Sequence, residues 1–121
     1  MPRIADYSII TDHVRTFQGS TTEEWNFGVI IDTHSASHGV FMCRLHITQQ
    51  LQDLNMRFFL NGRQIFRFPE ENKGRDIFTI HEIINPNHLR RGTNTFTVVV
   101  EGNGAGRINF SDAFVMFQRD I

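Results

Sequence analysis

Polar and apolar residues alternate along most of this chain. In "EWNFGVIID" the residues Trp25, Phe27, Val29 and Ile31 share one parity. In "VFMCRLHIT" Phe41, Cys43, Leu45 and Ile47 share one face, and Met42, Arg44, His46 and Thr48 the other. "NTFTVVVE" repeats the pattern with Phe96, Val98 and Val100. A period of two is that of a half-buried β-strand. Further strands are predicted at "DYSIIT", "MRFFL", "QIFRF", "DIFTIHEI", "RINF" and "DAFVMFQ". No segment keeps a helical period; "QQLQDLN" and "NPNHL" each suit a single helical turn. Strands at short intervals, punctuated by Gly, Asn and Asp, predict an all-β sandwich or barrel. No linker or repeat interrupts the pattern, so residues 1–121 read as one domain.

The segment from Met56 to Phe68, "MRFFLNGRQIFRF", fixes a hairpin around Asn61-Gly62. A two-residue turn sets Phe58 opposite Ile65 and divides the phenylalanines between the two faces. A three-residue loop, Leu60-Asn61-Gly62 with Gly62 left-handed, sets Phe58 opposite Gln64 and Met56 opposite Phe66. Met56, Phe58, Phe66 and Phe68 then share the core face. Each buried phenylalanine is worth about 1.5–3 kcal/mol, so this register is the expected one. The opposite face carries Arg57, Phe59, Ile65 and Arg67. It is neither cleanly polar nor cleanly apolar.

Composition sharpens the picture. Twelve phenylalanines stand against one Trp and one Tyr. Phenylalanine has no polar atom, so most of them are expected in the core. Net charge is −1 and the isoelectric point about 6.6. Nucleic-acid binding and electrostatic membrane anchoring need a clustered positive field, and both are excluded on this reading. Eleven of the twelve basic residues are arginine, the exception being Lys73. The single cysteine, Cys43, allows no internal disulfide and reads as a buried small hydrophobe. No run approaches the roughly 20 apolar residues of a membrane span. "MPRIADYSII" lacks the apolar core of a signal peptide, and as written the chain reads as cytoplasmic.

The second half carries a family pattern. It reads as a strand, an Asn61-Gly62 turn and a second strand, then Leu89-x-x-Gly92-x-Asn94, then Thr95 to Val100, then a last strand opened by Asp112. This arrangement resembles the galactose-binding-domain-like jelly-roll sandwiches, which occur as carbohydrate-binding modules and as accessory domains of glycosidases. The resemblance covers about half the chain, and its motifs are structural. It implies a jelly-roll β-sandwich with lectin-like, non-catalytic sugar recognition. Leu89 is expected to plug the end of the sandwich, and Gly92 and Asn94 to shape the turn. Some relatives hold a structural calcium, for which Glu23, Glu24 and Asp112 are the carboxylates at hand; the chain has no Asp-rich calcium loop.

Other constellations are weaker. His34, His38 and Asp32 in "DTHSASHG" have zinc-ligand chemistry but sit in a Ser/Gly-rich loop, which favours solvated histidines and no metal site. "EGNGAGR" imitates a phosphate loop but is followed by a strand, not a helix, and reads as a tight hairpin. No Gly-x-Ser-x-Gly elbow or Cys-His signature marks a nucleophile. Asp32, Glu82 and Asp112 are the carboxylates available for glycoside hydrolysis, which needs two about 5–9 Å apart. No catalytic residue is assigned.

The best surface is mixed. Arg44 and His46 point outward from one strand, and Arg57, Phe59 and Arg67 from the hairpin. If these strands are neighbours they form one platform with an aromatic in it, the mix of apolar ring and planar hydrogen-bonding groups that sugars need. The alternative is a solvated face, or one closed by the N-terminal strand or a second subunit. Trp25 either stacks on a sugar or caps the core. The expected function is therefore a non-catalytic carbohydrate-binding module using Trp25, Arg44, His46, Arg57, Phe59 and Arg67. The alternative is an assembly module, a homo-oligomer associating through Arg57, Phe59, Ile65 and Arg67. A small loop-based enzyme is the third reading.

Overall fold

The computed structural model describes residues 3–29, 38–49, 52–68, 76–103 and 107–120. Among the described residues nine strands form in chain order: β1 Arg3–Thr11, β2 Arg15–Phe17, β3 Thr21–Val29, β4 Gly39–Gln49 and β5 Gln52–Leu60, then β6 Arg63–Phe68, β7 Asp76–Ile84, β8 Gly92–Asn103 and β9 Arg107–Asp120. One sheet runs β1-β9-β4-β7, with the short β2 also paired to β9; the other runs β3-β8-β5-β6. All pairings are antiparallel. The pairs nest: β5 with β6, β4 with β7, β3 with β8, β1 with β9. Successive pairs alternate between sheets, as in one long hairpin wound into a sandwich. This is an all-β jelly-roll sandwich. His34 and Asp32 lie outside the described residues.

The alternating strands bury the faces the sequence pattern assigns them. Phe41, Cys43, Leu45 and Ile47 of β4 meet Met56, Phe58 and Leu60 of β5 and Phe96, Val98 and Val100 of β8 in one core. Phe41 and Phe96 stack at 5.0 Å between centroids, and Phe58 meets Phe41, Phe96 and Phe110 edge-on at 5.5–5.7 Å. Burial pushes the Cys43 thiol pKa up, so it stays protonated and inert.

Four local expectations change. The 61–62 turn is a two-residue one, with Asn61 at φ 51° and Gly62 at φ 82°. The bulge sits further in: Phe59 pairs with Gln64 and Phe58 with Phe66, leaving Ile65 extra. Met56, Phe58 and Phe66 still share a face, but Phe58 pairs with Phe66 rather than Gln64, and Met56 with Phe68. "QQLQDLN" contributes to strand, not to a helical turn, because β5 starts at Gln52. "RINF" and "DAFVMFQ" are one strand, since Asp112 takes a left-handed φ of 55° and the chain bulges without breaking. "EGNGAGR" does not join a paired hairpin, since β8 and β9 belong to different sheets; its residues 104–106 lie outside the described residues.

The Leu89-x-x-Gly92-x-Asn94 segment closes one end. Leu89 is buried and Gly92 adopts φ 100°. Asn94, fully buried, accepts from Asn61 Nδ2 at 2.8 Å and Arg90 N at 3.0 Å, and donates to Arg90 O at 2.8 Å and Gly92 O at 3.3 Å. Asn61 Nδ2 also donates to His88 O at 2.8 Å, and Asn61 Oδ1 accepts from Thr95 N at 2.9 Å. The hairpin turn is thereby tied to the start of β8.

His88 ends the 3₁₀ turn Pro86–His88, and its Nδ1 accepts from Asn85 N at 3.1 Å. Burial, then the charge of Arg63, holds its pKa below the ordinary 6.5. The folded state therefore takes up this proton less readily than the unfolded chain. Its contribution is complete above about pH 6.5 and is lost as pH falls from there through the lowered native value. Thermal melts across this range should show a smaller acid-side fall in His88→Asn, whose amide accepts the same bond without titrating. An equal fall in both proteins would contradict this role.

Candidate functional site

The residues expected to share one platform are divided between two faces. Arg44 and His46 leave the outer face of the β1-β9-β4-β7 sheet, while Arg57, Phe59 and Arg67 leave the outer face of the other sheet. The single Arg/Phe platform does not form, because β4 and β5 are consecutive in sequence but belong to opposite sheets. Trp25 turns inward and packs on Phe110 at 5.3 Å and Phe96 at 5.9 Å. Ile65, re-aimed by its bulge, packs against the core and leaves the face of Arg57, Phe59 and Arg67.

That second face engages its own arginines. Arg57 donates to Glu101 at 2.6 Å and lies over the Phe59 ring at 5.7 Å. Arg67, directly opposite Arg57, donates to Asn55 at 3.2 Å. The Arg57 side chain is two-thirds covered; its Nη2 is committed to Glu101, while its buried Nε has no hydrogen-bond partner.

The other outer face differs in kind. Cross-strand pairing lays two rows across it. Tyr7 pairs with Met116, Met116 with Val40 and Val40 with Ile83; Ile9 pairs with Phe114, Phe114 with Met42 and Met42 with His81. Partners in such rows stand side by side on one face. Seven of these eight residues are apolar, yet Tyr7 is 61% and Ile83 73% exposed. Tyr7 and Phe114 meet edge to face, 6.5 Å apart. A cavity of about 370 Å³ lies over β1 and β9, with Tyr7, Ile9, Phe114 and Met116 as its floor and Asp12 and Asp112 beside it; Asp6 lines it too, but opposite the core residue Phe117 its side chain turns to the inner side of β1. A second, of about 150 Å³, continues it toward β4 and β7 past Met42, Arg44 and Thr79, and shares Asp112 and Phe114 with the first. Together they form a groove across the sheet.

The carboxylates of the lining residues are held differently. Asp6 accepts from its neighbour Tyr7 N at 2.8 Å and from Arg119 Nε at 2.9 Å, and these bonds lower its pKa. Asp112 Oδ2 lies 3.7 Å from Arg44 Nη1 and accepts from Ser111 Oγ at 3.3 Å. Asp12 is paired only loosely, with exposed His13 at 3.5 Å. Glu23 and Glu24 project from opposite faces of β3, Glu23 paired with Arg15, and Asp112 belongs to the other sheet. The three expected calcium carboxylates are not brought together. Among the described residues no group of three or more His, Cys, Asp or Glu is placed to hold a metal, and no helix is long and apolar enough to cross a membrane.

Arg44 is the sequence-predicted residue that lines this groove, and His46 stands one row further along the same face. Tyr7, Ile9, Asp12, Phe114 and Met116 were not singled out in the sequence. For Phe114 and Met116 the signal is the apolar residues on both parities of "DAFVMF", which mark a strand apolar on two faces.

No protein-family model matches this sequence, and a search of curated proteins finds no match. Solved structures share its fold. The β-porphyranase BpGH86A of glycoside hydrolase family 86, from the human gut bacterium Bacteroides plebeius, matches with TM-score 0.68 at 12% identity over 97% of this chain. BuGH86 in complex with neoagarooctaose matches with TM-score 0.65 at 15% identity over 96% of it. The chain spans about a fifth of each, 21% and 19%. The CBM36-1 domain of a multidomain xylanase, from the hindgut metagenome of Trinervitermes trinervoides, matches over its whole length and 98% of this chain, with TM-score 0.50 at 10% identity. The fold is that of β-sandwiches which include a carbohydrate-binding domain.

Proposed function

We propose that this chain is a non-catalytic, lectin-like carbohydrate-binding module of the galactose-binding-domain-like kind, and that sugar lies in the groove across β1, β9 and β4. The supporting observation is the exposed floor of Tyr7, Ile9, Phe114 and Met116 beside Asp12, Asp112 and Arg44. A sugar ring presents C–H groups on its face and hydroxyls on its edge. Aromatic and aliphatic side chains suit the first, carboxylates and a guanidinium the second. The likeness to a carbohydrate-binding domain and to a sugar-complexed protein supports the same reading. A glycan array including neoagarooctaose and xylo-oligosaccharides, with and without calcium, tests it. Tyr7→Ala should weaken any hit about tenfold, the worth of one stacked ring, while Phe59→Ala leaves it unchanged. The reverse pattern would move the site to the other sheet, and a blank array would remove the proposal.

Exposed Tyr7, Ile9, Ile83 and Met116 favour a second reading, self-association through this same apolar sheet face. It replaces the Arg57/Phe59 face as the surface for assembly. Mass in solution should then rise with concentration and fall back in Ile83→Asp; a monomer at every concentration would exclude it.

A further inference from the structure

We infer that Asp112 makes the groove selective for uncharged sugars over sulfated or uronic ones. This rests on the carbohydrate reading above and names the ligand class of that site.

Asp112 and Phe114 are the two residues common to both cavities, so Asp112 stands where the two adjoin. The backbone puts it there. Met42 pairs with Phe114 and Arg44 with Ser111, so Asp112 and Ala113 together oppose Cys43 in a bulge. Asp112 takes φ 55° and its side chain stays half exposed. Aspartate and asparagine tolerate this left-handed conformation, whereas most residues do not.

The charge pattern follows. Of the charged residues lining the larger cavity, Asp6 is neutralised by Arg119 on the inner side of β1, which leaves Asp12 and Asp112, both acidic. The smaller cavity holds Arg44, the cation suited to a sulfate or carboxylate. Asp112 lies 3.7 Å from it. The same carboxylate thus repels an anionic sugar and occupies the guanidinium that would receive it. An uncharged hydroxyl meets neither penalty and gains carboxylate acceptors. Rejection of one ligand by a like charge is an ordinary route to specificity.

The test uses the full chain and an array of agar, xylan and galactan oligosaccharides, each printed uncharged and chemically sulfated. Wild type should bind an uncharged member about tenfold more tightly than its sulfated partner at low salt, with the gap closing as salt rises. Asp112→Asn keeps the backbone conformation and should raise the sulfated-to-uncharged affinity ratio about tenfold. Adding Arg44→Ala should cancel that gain, which a merely structural role for Asp112 would not produce. A preference for sulfated members, or a ratio unmoved by Asp112→Asn, would overturn the selectivity while leaving the carbohydrate reading standing. A protein with an intact melting curve that binds no pair would overturn both.

Discussion

Phe58→Ala is expected to lower the unfolding free energy by about 3–5 kcal/mol, the usual cost of deleting a ring from a packed core. Phe58 is fully buried and touches four other rings, Phe41, Phe66, Phe96 and Phe110, at 5.1–5.7 Å. Rings from both sheets meet there, so the void left cannot be closed by one strand moving. Total stability is commonly about 5–15 kcal/mol, which makes the loss a large fraction of the whole. Its neighbour is the control. Phe59 points out beneath Arg57, and Phe59→Ala should cost about 1 kcal/mol or less. Urea unfolding of the two variants checks the hairpin register directly. Equal losses would mean that the bulge at Ile65 does not divide the faces as described.

Asn94→Ala should cost about 3 kcal/mol, because it strips partners from several groups at once. Its amide holds Asn61 and the backbone of Arg90 and Gly92 in a fully buried position. Each group left without a partner keeps its desolvation penalty. Asn61→Ala should cost less, and the double variant less than the sum of the two, since both belong to one network. Equilibrium unfolding of the three proteins measures the coupling. Strict additivity would show that the turn and β8 are stabilised independently.

The strands and their inner faces were legible because a period of two is local. The alternation over Phe41–Ile47 and Phe96–Val100 is enough to orient β4 and β8. The Leu89, Gly92 and Asn94 motif pointed to the end closure for a similar reason, since its turn chemistry spans six residues. What failed depends on contacts distant in sequence. Whether Arg44 and Arg57 share a face is decided by nested pairing across the whole chain, and no window of sequence holds that. Ile65 and Asp112 changed the expectation because one bulged residue alters every neighbour's assignment. The groove was hidden for another reason. Val40, Met42, Phe114 and Met116 are apolar beside apolar core residues, so composition alone does not tell the exposed member of each pair from the buried one.

The division of the two outer faces is the basis of the functional account. One face engages its own arginines, Arg57 in an ion pair with Glu101 and Arg67 in a hydrogen bond to Asn55. The other leaves an aromatic and aliphatic floor open beside carboxylates. A sugar gains more from the second, where an exposed apolar floor lies beside half-exposed polar groups.

The most direct test is an amide-resolved NMR titration of the protein with the best glycan from the array. The account predicts shifts concentrated on Tyr7, Ile9, Asp112, Phe114 and Met116, with Arg44 at the margin. Shifts concentrated on Arg57, Phe59 and Arg67, or none at saturating sugar, would contradict it.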